Sequence, residues 1–171
     1  YQHFLSIADT VDLPIVLYNV PSRTSVNMVP ETIVRLAKIK NIVGIKEASG
    51  SLQAMSKIIE NCDDDFTVLS GDDPLLWPIL AIGGQGVISV TANILPAKVV
   101  AMCEAGTNGN MAKARSMHYE LMDISDSLFA DTNPIPVKAA LHLMGKIENE
   151  LREPLIELSS NHLERLKKAM A

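Results

Sequence analysis

Four short aliphatic runs, each followed by a stretch of helical pattern, constrain this 171-residue chain more than any other feature. The runs cover residues 14–20, 42–47, 66–71 and 86–91; each has about the usual strand length and is bounded by Gly, Pro, Asn or Asp. Helical stretches follow at 30–39, 52–61, 74–82 and 96–105, and one more opens the chain at 1–10. Pro30, Pro74 and Pro96 fall where a first helical turn tolerates a missing N–H. Near-continuous apolar strands alternating with helices predict βαβ units and a parallel sheet. Their spacing suits either a (β/α)8 barrel or a doubly wound sheet. Two features favour the barrel. No strand-to-helix turn carries Gly-x-Gly-x-x-Gly, and polar residues gather at successive strand ends: Tyr18 and Arg23, Lys46, Gly71-Asp72-Asp73, then Ser89 and Thr91. Barrel enzymes place their chemistry on that rim.

Beyond residue 109 the pattern changes. Residues 110–129, 133–144 and 160–170 are expected to be helices, with Asn133 and Ser159/Ser160 as N-cap candidates. The expected fold class is therefore α/β, a TIM (β/α)8 barrel. Residues 1–109 are expected to hold its C-terminal half and residues 110–171 a C-terminal helical region, suited to an oligomer surface. A barrel takes eight strands and about 250 residues. Four strands predict the C-terminal part of a longer chain.

Composition narrows the function classes. The chain is 47% hydrophobic and 20% charged, with net charge −5 and its Lys and Arg scattered. That argues against a nucleic-acid face or a polybasic membrane anchor. No apolar run approaches the ~20 residues that cross a bilayer. Cys62 and Cys103 have neither metal-ligand nor redox spacing, which favours two free thiols in a reducing, cytoplasmic setting. With three Phe, three Tyr and one Trp, the core must be aliphatic.

Lys46 is the sharpest chemical candidate, because it closes the run Ile42-Val43-Gly44-Ile45, whose residues favour burial on both faces. Alternation puts Ile42, Gly44 and Lys46 on one face and Val43, Ile45 and Glu47 on the other, with Gly44 leaving room below the amine. A buried, unpaired ammonium tends to lose its proton, and a neutral amine attacks carbonyl carbon. That reading requires an amine pKa well below the ordinary ~10.4. The alternative is a strand-end lysine snorkelling to solvent or pairing with Glu47. Tyr18, at the matching end of the preceding strand, suits general acid–base work, or is a buried phenol with one hydrogen bond. Arg23 offers a planar fork for a carboxylate, or is a solvated loop charge. Gly71-Asp72-Asp73 fits a capped helix start better than a metal site, and Gly83-Gly84-Gln85-Gly86 a helix-to-strand turn better than a phosphate loop. The four histidines fall in helical segments away from the strand ends and take no role.

Taken together, Tyr18-Asn19-Val20-Pro21-Ser22-Arg23-Thr24, Gly44-Ile45-Lys46-Glu47-Ala48, Ser70-Gly71-Asp72-Asp73, Gly86-Val87-Ile88-Ser89-Val90 and Asn133-Pro134-Ile135-Pro136-Val137-Lys138 resemble the dihydrodipicolinate synthase family, in order over essentially the whole chain. The resemblance implies a class I pyruvate-dependent lyase on a TIM barrel, usually a homotetramer. Lys46 would form the imine with pyruvate, with no separate cofactor and no metal. Tyr18 would relay protons and Arg23 would bind the carboxylate of aspartate semialdehyde. Gly71 and Ile88 would line the pyruvate pocket through backbone groups. N-acetylneuraminate lyases share the tyrosine, proline and lysine but lack the arginine, so Arg23 favours the synthase over lyases of sugar acids. A non-catalytic barrel subunit is the remaining alternative. The family's paired threonines, second tyrosine and most of its lysine feedback site would lie upstream of Tyr1, so the chain alone is expected to be inactive.

Overall fold

The computed structural model describes residues 1–171 in two compact units, Tyr1–Ile88 and Ser89–Ala171. In the first, helix α1 (Gln2–Ala8) precedes strand β1 (Ile15–Asn19), and helices α2 (Pro21–Thr24) and α3 (Pro30–Leu36) lead to β2 (Ile42–Glu47). Helix α4 (Leu52–Asn61) leads to β3 (Thr67–Ser70), and α5 (Leu76–Ala81) to β4 (Gly86–Val87). The strands form one parallel sheet in the order β1-β2-β3-β4. Sequence neighbours are sheet neighbours throughout, as in successive βαβ units.

Helices cover one face of this sheet. Leu17, Ile42, Ile45 and Val68 pack there with Ile33 and Leu36 of α3, Met55 and Ile58 of α4, and Ile79 of α5. Each such side chain contributes about 2 kcal/mol by leaving water. Ser51 caps α4 by accepting the Ala54 N–H at 3.1 Å, and Pro21 and Pro30 begin α2 and α3.

The opposite face is open in this four-stranded chain. Val16, Tyr18, Val43 and Ile88 are all more than a third exposed. Four strands do not curl far enough to bury their own concave side; closing it takes a full ring. Strict alternation also fails in β2. Register slips between Ile15↔Ile42 and Val16↔Gly44, so Val43 has no partner in β1. The extra residue sends Ile42 to the helix-side core beside Ile45 and turns Val43 outward.

β4 is two residues long rather than six, because the chain turns after Val87. Gly83-Gly84-Gln85-Gly86 is indeed the turn entering it, with Gly83 at φ +100° and a Cβ on Gly84 falling 2.5 Å from Ile79 Cγ1. Residues 21–24, expected as loop, form α2, which ends on Ser25 in the left-handed region at φ 57°.

The second unit contains no strand. A short 3-10 turn (Thr91–Asn93) precedes α6 (Pro96–Thr107), α7 (Met111–Leu128), α8 (Ile135–Leu143) and α9 (Ser160–Met170). Helix α7 packs on α6 and α9, and α8 on α9. A buried Thr91–Ser125 hydroxyl pair at 3.0 Å ties the 3-10 turn to α7. Asn110 and Ser159 cap α7 and α9 through their side chains. Asn133 caps nothing: Pro134 holds the N-cap position of α8.

Candidate active site

The parallel register of β1 and β2 sets Tyr18 directly opposite Lys46, with both side chains on the open face. Lys46 Nζ stands 4.1 Å from the Tyr18 ring centroid, over the ring itself. Such a stack is worth about 0.5–1 kcal/mol at an exposed site. The amine has no carboxylate partner; the ion pairs His162–Asp131, Arg165–Asp126 and Lys167–Glu164 all lie in the second unit. Lys46 is partly exposed rather than fully buried. Pairing with Glu47 is excluded, since Glu47 points to the helix side and is fully buried.

Two glycines shape the surroundings. A Cβ on Gly71 would stand 3.0 Å from Lys46 Cε and 2.5 Å from Ala48 Cβ, so Gly71 lets β3 end close against the lysine. Gly44 differs from expectation. Its Cβ would meet the Thr67 carbonyl oxygen at 2.6 Å, so its small size admits the neighbouring backbone rather than a substrate. Thr67 is its register partner on β3.

Gly71 donates its N–H to Glu47 O at 2.8 Å, and Ile88 donates to Ser70 O at 2.9 Å. With both amides engaged in the sheet, what either residue retains for a ligand is a carbonyl acceptor. Such a group suits an N–H or O–H and repels a carboxylate. Ile88 itself is 45% exposed. Arg23 lies exposed in the last turn of α2, just past the end of β1; no hydrogen bond or ion pair joins its guanidinium to Lys46 or Tyr18. Asp73 is buried in a 3-10 turn (Asp73–Leu75) ahead of α5.

Sequence reasoning missed Asn19 and Glu47. They are register partners on the helix side, one position beyond Tyr18 and Lys46. Asn19 Nδ2 donates to Glu47 Oε2 at 2.8 Å in a fully buried setting. The available signal was a carboxylate at a position that alternation shares with Ile45, where a charge without a partner costs several kcal/mol.

A lysine stacked on a tyrosine at the carboxyl ends of neighbouring parallel strands defines an α/β protein with its candidate site at a sheet rim. The chain belongs to the dihydrodipicolinate synthetase family, whose model matches residues 1–171. It is 54% identical over 170 residues to the 4-hydroxy-tetrahydrodipicolinate synthase of Syntrophus aciditrophicus, covering 99% of this chain and 58% of that protein. The crystal structure of dihydrodipicolinate synthase from Thermotoga maritima superposes with a TM-score of 0.97 at 45% identity, over 99% of this chain and 59% of that one. A monomeric dihydrodipicolinate synthase variant matches with a TM-score of 0.96 at 45% identity, over 99% and 58%. The chain thus spans under two thirds of the length of these relatives, and its four-stranded sheet is about half of a TIM barrel.

Proposed function

We propose that the full-length protein condenses pyruvate with L-aspartate 4-semialdehyde to 4-hydroxy-tetrahydrodipicolinate, in lysine biosynthesis through diaminopimelate. The observation that carries this reading is Lys46 Nζ held over Tyr18 at the strand ends, in a chain of this family. Lys46 attacks the ketone carbon of pyruvate, and loss of water leaves an imine. The imine nitrogen draws electrons from the adjacent methyl group, which gives up a proton to become the enamine. That carbon attacks the aldehyde of the second substrate. The amine of the second substrate then closes a six-membered ring on the imine carbon and releases Lys46. The covalent imine serves as the electron sink, so no cofactor takes part.

Tyr18 is the proton relay in this scheme, within reach of an imine formed on the stacked amine. Arg23 holds the carboxylate of the semialdehyde, a role supported by its exposed and unpaired guanidinium. Gly71 and Ile88 line the pyruvate side, where their carbonyls accept from N–H or O–H groups of the intermediates. The proposed setting is the cytoplasm; no helix of the chain is long and apolar enough to cross a membrane.

A homotetramer or dimer is the proposed assembly. Leu143, Met144, Ile147 and Ile156 of the second unit are exposed and apolar, which supports a buried contact there. One solved relative is a monomeric variant, so the mass in solution is the deciding measurement.

Borohydride reduction in the presence of pyruvate, followed by peptide mass spectrometry, should label Lys46 of the full-length protein. An active protein with Lys46 unlabelled would remove the Schiff-base mechanism. Turnover of N-acetylneuraminate or a 2-keto-3-deoxy acid, without turnover of aspartate semialdehyde, would overturn the substrate assignment and the role given to Arg23.

A further inference from the structure

We propose that Glu47, acting through Asn19, is a positioning residue that holds Lys46 and Tyr18 in reacting register from the opposite face of the sheet. The inference rests on the Schiff-base reading above and extends it to two residues with no contact to substrate. Tyr18↔Lys46 and Asn19↔Glu47 are consecutive register pairs, so one pair faces the open side and the next faces the core. Whatever fixes the second pair fixes the first, because a one-residue slip would turn every side chain to the other face.

The buried pair is bound from several directions. Glu47 Oε2 accepts from Asn19 Nδ2 at 2.8 Å, and Glu47 Oε1 accepts from the Ser49 N–H at 2.6 Å. The Glu47 carbonyl accepts from Gly71 N at 2.8 Å, and the Asn19 carbonyl accepts from Ala48 N at 2.9 Å. Asn19 then reaches outward: Nδ2 also donates to Asn27 Oδ1 at 2.8 Å, and Oδ1 accepts the Met28 N–H at 3.1 Å. One network therefore joins the strand of Lys46, the strand of Tyr18, the end of β3 and the far side of the segment that carries Arg23.

The donor pattern dictates the residue type. Both side-chain partners of Glu47 are N–H donors, so it must present two acceptor oxygens. Glutamine, equal in size, would turn its NH2 group against one of those donors and leave a buried polar group unsatisfied. The mismatch can be repaired by exchange. In an Asn19→Asp, Glu47→Gln double variant, the introduced glutamine donates through Nε2 to the introduced aspartate, while its Oε1 keeps the Ser49 N–H. The Asn27 amide, by turning over, can donate to the new carboxylate. Asn19→Asp alone sets two carboxylates against each other.

The test is the rate of cyanoborohydride trapping of pyruvate on Lys46 in the full-length protein, as a function of pyruvate concentration, with circular dichroism to establish folding. Each single variant should slow trapping at saturating pyruvate by about 10- to 100-fold, with the half-saturating concentration little changed. The double variant should recover to within about 3-fold of the parent, as coupled neighbours do. A folded E47Q that traps at the parent rate overturns the proposal, and so does a folded double variant slower than about 10-fold below the parent. If a single variant does not fold, the double variant alone decides by the same criterion. A parent protein that forms no adduct at Lys46 sinks the Schiff-base reading instead. The clamp is then judged by competitive acetylation of Lys46 against Lys57. Altered Lys46 labelling in the singles that is restored in the double upholds it, and unaltered labelling overturns it.

Discussion

Replacing Gly71 with alanine would separate crowding at the Lys46 site from loss of stability in general. The backbone at Gly71 is outside the left-handed region, so alanine meets no conformational penalty there. The cost is steric. The added Cβ would stand 2.5 Å from Ala48 Cβ and 3.0 Å from Lys46 Cε. Ala48 Cβ is fixed to its backbone and cannot rotate away, so the end of β3 must move off β2 and strain the Gly71–Glu47 hydrogen bond. Overpacking of this kind costs about 1–3 kcal/mol, offset by ~0.4–1 kcal/mol from the stiffer unfolded chain. A net loss of about 1–2 kcal/mol corresponds to a Tm lower by about 2–8 °C in a domain of this size. Displacing Cε should also slow pyruvate trapping on Lys46 by about 10- to 100-fold.

Gly50→Ala is the comparison variant. Gly50 has φ +79° with open space around it, so alanine there is strained without touching anything. It should lose a similar ~1–2 kcal/mol while trapping pyruvate at the parent rate. Urea unfolding and cyanoborohydride trapping measure the two effects separately. A Gly71→Ala protein that keeps both its stability and its trapping rate would refute the close packing of β3 against Lys46.

Tyr18→Phe keeps the ring under Lys46 and removes only the hydroxyl, so the fold should persist while trapping slows by ~10²–10⁴, the range for a lost acid–base group; an unchanged rate would remove Tyr18 from the relay. Burial pushes the thiols of Cys62 and Cys103 up, with Asp63 and Glu104 adding to the effect. Their thiolate fraction at pH 8 is therefore small, and alkylation by iodoacetamide should run slower than for glutathione until the chain is unfolded in urea. Burial lowers the pKa of His118, so the unfolded chain takes up that proton first as pH falls. This contribution is fully present above about pH 6.5 and is lost as pH drops through the folded value. Urea midpoints of a His118→Gln protein should show a shallower decline over that window.

Much of the first unit was legible because its signals are local. Four aliphatic runs and the prolines at helix starts each act over a few residues, and β2 and α4 fall within the expected bounds. Lys46 and Tyr18 stood out as polar residues closing apolar runs, and the parallel sheet followed from the alternation of strands with helices. Two kinds of feature were not legible. The register slip that sends Ile42 to the core and Val43 outward depends on how β1 lies against β2, which no residue in β2 announces. The shortness of β4 likewise depends on where the chain leaves β3.

The sequence by itself determined which residues are candidates for chemistry and that they close parallel strands, since hydrophobic period and residue type are properties of the chain. Only the tertiary structure decided that Lys46 lies over the Tyr18 ring, that Gly44 serves the Thr67 backbone rather than a substrate, and that Glu47 turns away from Lys46 to hold Asn19. The physical reason is that strand register and sheet face are set by pairing between segments 28 residues apart. Alternation along one strand fixes its two faces but not which partner stands opposite.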